Sequence, residues 1–245
     1  MGFNQQTFQR TFQRLIRLGC RKMKNLPVII LFVIAEILGA VFYYKTKDSA
    51  KRMLLTSLGL GFAVVVVLLD IIPDATEDFS LGYWICATGF VAMFIVGSFG
   101  KRISNYSAAA GFAIHNIAEG IIISTVFGPI SPLLTLGAIL HKLPEGMVTY
   151  SLLEGLKDRT RFVLAALIAL LIPIGAIVPI SESITKPIMA FSAGVILCVV
   201  GKQLIMIIAK NYKTVMNGAT GNIQLKLASV VVVGALIGWA SCLLA

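Results

Sequence analysis

Eight apolar stretches follow one another along this chain, near residues 27–45, 53–74, 80–100, 106–127, 132–155, 162–181, 187–209 and 226–244. Each is close to the length a helix needs to cross a lipid bilayer, roughly 20 residues at about 1.5 Å apiece. They fill most of the 245 residues and leave no room between them for a soluble domain. With 58% hydrophobic and 13% charged residues and a mean hydropathy of +0.91, the chain lacks the polar surface that covers a soluble globule. The expected fold is an all-α polytopic bundle of about eight transmembrane helices over residues 27–245, preceded by a basic segment over 1–26.

The net charge of +10 invites a nucleic-acid reading, but the basic residues sit in alternate loops rather than on one folded surface. Lys45, Lys47, Lys51 and Arg52 follow the first stretch, Lys101 and Arg102 the third, Lys157, Arg159 and Arg161 the fifth. Lys210, Lys213 and Lys226 flank the last connection. That alternation marks cytoplasmic loops. The opposite loops are neutral or acidic, so both termini are expected outside, and the expected partners are a lipid bilayer and ions, with no nucleic acid. The location is taken as the inner (cell) membrane of a prokaryote.

The first residues point the other way. Arg10, Arg14, Arg17 and Arg21 recur at helical spacing, with Phe8, Phe12, Leu15 and Ile16 largely on another face, which reads as an interfacial amphipathic helix of cytoplasmic character. Arginines interrupt the region where a signal peptide needs an apolar core, so cleavage is not expected. Cys20, Cys86, Cys198 and Cys242 are scattered without CxxC spacing, and neither a disulfide framework nor a thiolate metal site is expected.

The chain's two histidines each open the string His-x-x-x-Glu-Gly, HNIAEG at 115–120 and HKLPEG at 141–146, inside consecutive apolar stretches. On a helix, residues i and i+4 share a face one turn apart, so each span presents an imidazole beside a carboxylate. The connection FGPISP is short, which makes the two spans antiparallel neighbours. Glu119 lies about ten residues before Pro129 and His141 about nine after Pro132. Both therefore fall roughly 15 Å from the outer turn, with His115 and Glu145 about one turn deeper. Two imidazoles and two carboxylates form a four-cornered cluster near mid-bilayer, with Asn116 as a further oxygen donor. These residue types suit zinc and its first-row neighbours, and ionisable residues at such depth are read as functional by default. A lone membrane histidine more often bonds a neighbouring helix, but two copies of one motif at matching depth are hard to explain that way. Pro144 would free the carbonyl of Leu140, and Gly120 and Gly146 would let helices approach closely.

These motifs resemble the transport site of the ZIP (Zrt/Irt-like protein) family of divalent metal transporters, His-Asn-x-Pro-Glu-Gly and a His- or Gln-led x-x-Pro-Glu-Gly. LGFAVVVVLLDIIPDA at 60–75, IPIGA at 172–176 and AFSAGVILCVVGKQLI at 190–205 resemble that family's second, sixth and seventh spans. The resemblance covers roughly residues 27–245. It implies eight spans, outside termini, ligation of a transported ion by His115, Asn116, Glu119, His141 and Glu145, and a second copy of the chain as a candidate partner. Zinc is the first expectation for the ion, followed by iron, manganese, cobalt or cadmium.

Departures from the family pattern carry their own expectations. Family members with a two-metal centre have an acid at the position of Lys142 and a glutamate at that of Ile172, so one metal site is expected here rather than two. The Lys142 ammonium would stand in for the missing cation, balancing Glu119 and Glu145. Ala118 replaces a family proline, and Lys202 and Gln203 stand where related sequences often carry acids, which leaves the inner exit route unassigned. On the outer side Asp70 and Asp74, at i and i+4 around Pro73, with Glu77 and Asp78 beyond, form an acidic approach for cations. Glu36 and Lys186 are candidates for structural pairing only.

The resulting expectation is uptake toward the cytoplasm by alternating access, without ATP, since no P-loop is present. Two rivals belong to other classes. An intramembrane zinc hydrolase would keep its metal and activate water, but needs three firm ligands and an open position, and no third histidine is available. A metal sensor would bind without moving the ion.

Overall fold

A computed structural model describes residues 25–99, 101–125, 132–153, 155–178, 180–216 and 222–243. The arginine-rich stretch up to residue 24 and most of the FGPISP connection lie outside the described residues. The helices are α1 (Leu26–Lys45), α2 (Ser49–Thr76), α3 (Gly82–Ser98), α4 (Lys101–Thr125), α5 (Pro132–Leu152), α6 (Asp158–Ile177), α7 (Glu182–Met216) and α8 (Asn222–Cys242). Among the described residues there is no strand, and the architecture is an all-α bundle. Six of the helices contain a segment long and apolar enough to cross a membrane. The remaining two expected positions hold α3, apolar but 17 residues long, and α5, 21 residues long. Trp84, Tyr83 and Phe94 on α3 project outward at 73%, 66% and 58% exposure, an arrangement that suits hydrocarbon rather than water.

Local chemistry sets the ends and breaks of these helices. Asp48 caps α2 by accepting from the backbone N–H groups of Ala50 at 2.8 Å and Lys51 at 3.0 Å. Those N–H groups, Lys51 first, hold its carboxyl below the usual carboxylate range. Within α2 the turn Val67–Ile71 widens to a π-helix, the Ile72 N–H reaching back to the Val67 carbonyl. Pro73 follows at once; its ring has no N–H to donate and crowds the carbonyl four residues earlier, so the ladder widens there. Asp70 rides on this turn. Helix α6 breaks at Leu170, just before Pro173. At the foot of α5 the Arg161 guanidinium lies 4.4 Å over the Tyr150 ring and donates to the Tyr150 carbonyl at 3.1 Å, tying α6 to α5.

The broadest packing pairs α1 with α5, α2 with α8, α3 with α7 and α4 with α6. In each pair a glycine from either helix is set against the other's backbone: Gly39 and Gly146, Gly61 and Gly234, Gly89 and Gly194, Gly120 and Gly175. Without a hydrophobic force between helices in lipid, close backbone approach through small residues is what van der Waals packing selects. The site-bearing helices α4 and α5 do touch, but each packs mainly on another helix, α6 and α1. The principal partners are those whose glycines are set against each other's backbone.

Candidate metal centre

Helix α4 delivers His115, Asn116 and Glu119, and α5 delivers His141, Lys142 and Glu145, as the repeated spacing requires. One ligand atom from each of His115, Glu119 and His141 lies within 4.8 Å of the others, the separation at which three side chains can hold one ion. Glu145 joins this group. Its Oε1 is 2.8 Å from His141 Nε2 and 3.3 Å from His115 Nε2. His115 and Glu145 lie level with each other, the imidazole of one span against the carboxylate of the other.

Each imidazole is aimed by a neighbour. His115 Nδ1 bonds Ser192 Oγ of α7 at 3.1 Å, which directs Nε2 into the cluster. That Nε2 is buried without a hydrogen bond. The His141 ring stands edge-on to Phe62 of α2, centroids 5.7 Å apart. No signal in the sequence singled out Ser192.

On the other side of the carboxylates stands Lys142, 0% exposed. Its ammonium pairs with Oε2 of Glu119 and Oε2 of Glu145 and donates to Asn116 Oδ1 at 3.2 Å, so its three N–H bonds have three acceptors. The Glu145 carboxylate is thereby divided, one oxygen to the imidazoles and one to the lysine. Asn116 has its oxygen turned to Lys142, while its amide nitrogen donates to both oxygens of Glu36 at 2.9 and 3.0 Å and to the Ile168 carbonyl, at the break of α6, at 2.9 Å. Glu36 of α1, 1% exposed, lies 4.0 Å from the ammonium. Glu36, a candidate for structural pairing from the sequence, is paired, with Asn116 directly and with Lys142 at longer range, as an acid in a long apolar run requires.

Ile172 is fully buried, and its backbone carbonyl faces Gly120. Asp70 is half-buried within electrostatic reach of His141, whereas Asp74 is exposed near Glu77 and Lys186. Neither belongs to the cluster itself. Lys186 donates to the Glu77 carbonyl. Lys202 donates to the Gly97 carbonyl at 2.8 Å, in the last turn of α3, where a cation is favoured.

No protein-family model matches this chain, and no curated protein matches it in a sequence search.

Proposed function

We propose that this protein is a ZIP-like transporter that carries a divalent metal ion, zinc foremost, into the cytoplasm through the cluster between α4 and α5. The observation that carries this reading is the convergence of His115, Glu119 and His141 within 4.8 Å, with Glu145 against both imidazoles, inside an apolar bundle. The ion sheds water as two imidazoles and two carboxylates replace its shell. Lys142 already neutralises the far oxygens of Glu119 and Glu145, so a metal entering on the imidazole side meets carboxylates that do not need a second ion. The cluster is therefore mononuclear, and rocking of one helix group against another opens it inward. The half-buried Asp70 and the exposed acids beyond it draw cations toward the outer mouth. Asn116 serves by holding Lys142 and Glu36 in place.

Purified protein in sealed liposomes tests the reading. Zinc, iron, manganese, cobalt and cadmium are offered outside, and accumulation is read by an internal chelating dye. Saturable entry of zinc supports transport; binding without entry overturns it in favour of a sensor or a metalloenzyme.

A further inference from the structure

The buried cluster contains three carboxylates and one ammonium. Glu36, Glu119 and Glu145 all face the single ammonium of Lys142, at 4.0 Å in the case of Glu36. Both Glu36 oxygens accept from Asn116, and the Asn116 oxygen is engaged by Lys142. Among the described residues the side-chain hydrogen bonds of Glu36 come from a donor, an arrangement that suits an ionised carboxylate, although Glu119 and Glu145 also lie within electrostatic reach. One ammonium set against three carboxylates leaves two negative charges. The imidazoles add none, because a histidine that ligates metal is neutral. Asp70, half-buried within electrostatic reach of His141, stands outside this cluster and is not counted in its charge. A second observation shows where the balancing charge belongs: His115 Nε2 is buried, without a hydrogen bond, 3.3 Å from Glu145.

We propose that Glu36, which ligates nothing, is the specificity-determining carboxylate of this site, setting its fixed charge at minus two to match one divalent cation. The inference rests on the metal reading above and adds the role of α1. In a medium of low dielectric an uncompensated charge is costly, so a site charged minus two prefers a divalent ion over a monovalent one. Losing Glu36 leaves a deficit of one; losing Lys142 as well restores two through Glu119 and Glu145.

Calorimetric titration of the full chain in detergent micelles with Zn2+ tests this by charge rescue. Glu36→Gln is expected to weaken zinc binding at least about tenfold, and Glu36→Gln with Lys142→Met to recover the wild-type affinity within about threefold. Lys142→Met alone is expected to bind more tightly than wild type. An unchanged affinity in Glu36→Gln, or a loss that Lys142→Met fails to restore, overturns the inference and makes Glu36 a packing residue. If Glu36→Gln does not purify folded, Lys142→Met decides the matter: equal or weaker zinc binding overturns the proposal. Wild-type protein that binds no zinc overturns the metal reading itself, a result distinct from wild-type binding that is indifferent to Glu36.

Discussion

Gly146 follows the ligand Glu145 and is where α5 meets α1. A methyl group there collides with the backbone carbonyl of Glu36, lies 2.7 Å from its carbonyl carbon and 3.1 Å from the Ala40 nitrogen. Every one of these atoms is backbone, so no rotamer change relieves the overlap. Carbon–oxygen contacts settle at about 3.3 Å or more, and the helices must part by about an ångström to reach it. Overpacking of this kind costs about 1–3 kcal/mol, whereas the gain in helix propensity from Gly to Ala is only about 1 kcal/mol. Gly146→Ala is therefore expected to lower the melting temperature by several degrees. It should also weaken zinc binding, because the shift draws Glu36 away from Lys142. Gly201→Ala in α7 is the control: a methyl there has no neighbour within 4 Å, and its stability should be unchanged or slightly raised. Thermal unfolding in micelles and zinc titration of both variants check this. Equal behaviour of the two would refute the close α1–α5 contact on which the placement of Glu36 depends.

Lys142→Ala removes the cation between Glu119 and Glu145, so zinc should bind more tightly, leave more slowly and turn over less; unchanged affinity and flux would make the lysine a bystander. Equilibrium titration should find one strong intramembrane zinc per chain, and two ions bridged at Glu145 would contradict the mononuclear reading. Ser192→Ala takes the partner from His115 Nδ1 and is expected to weaken zinc binding about 10–100-fold, with unaltered affinity showing that His115 needs no orienting bond.

Much of the site could be read from local spacing. The i, i+4 repeat placed each imidazole beside a carboxylate, and counting residues from the connection put His115 level with Glu145, now 3.3 Å apart. The departure of Lys142 from the family pattern suggests an ammonium balancing Glu119 and Glu145, with which it pairs. What spacing could not supply is which helices lie against one another. Glu36 reaches the cluster because α1 docks on α5 through Gly39 and Gly146, residues more than a hundred positions apart, and nothing in one sequence says which glycine faces which. The short connection makes α4 and α5 neighbours, and they do touch, but each packs mainly on another helix. Ser192 is a small polar residue in an apolar helix, and its contact with His115 follows only from the packing of α7 on α4. Asn116 is held by contacts that spacing does not reveal. Its residue type fits a ligand, but its oxygen is committed to Lys142 and its nitrogen to Glu36.

Zinc flux into liposomes carrying wild-type protein or the His141→Ala, Glu145→Ala double variant tests the central claim most directly, with folding of both verified by size-exclusion chromatography. The double variant loses one imidazole and the carboxylate that lies within 3.3 Å of both histidines, so saturable zinc entry should disappear while the protein remains folded in the membrane. Full zinc uptake by the folded double variant would contradict a transport path through this cluster.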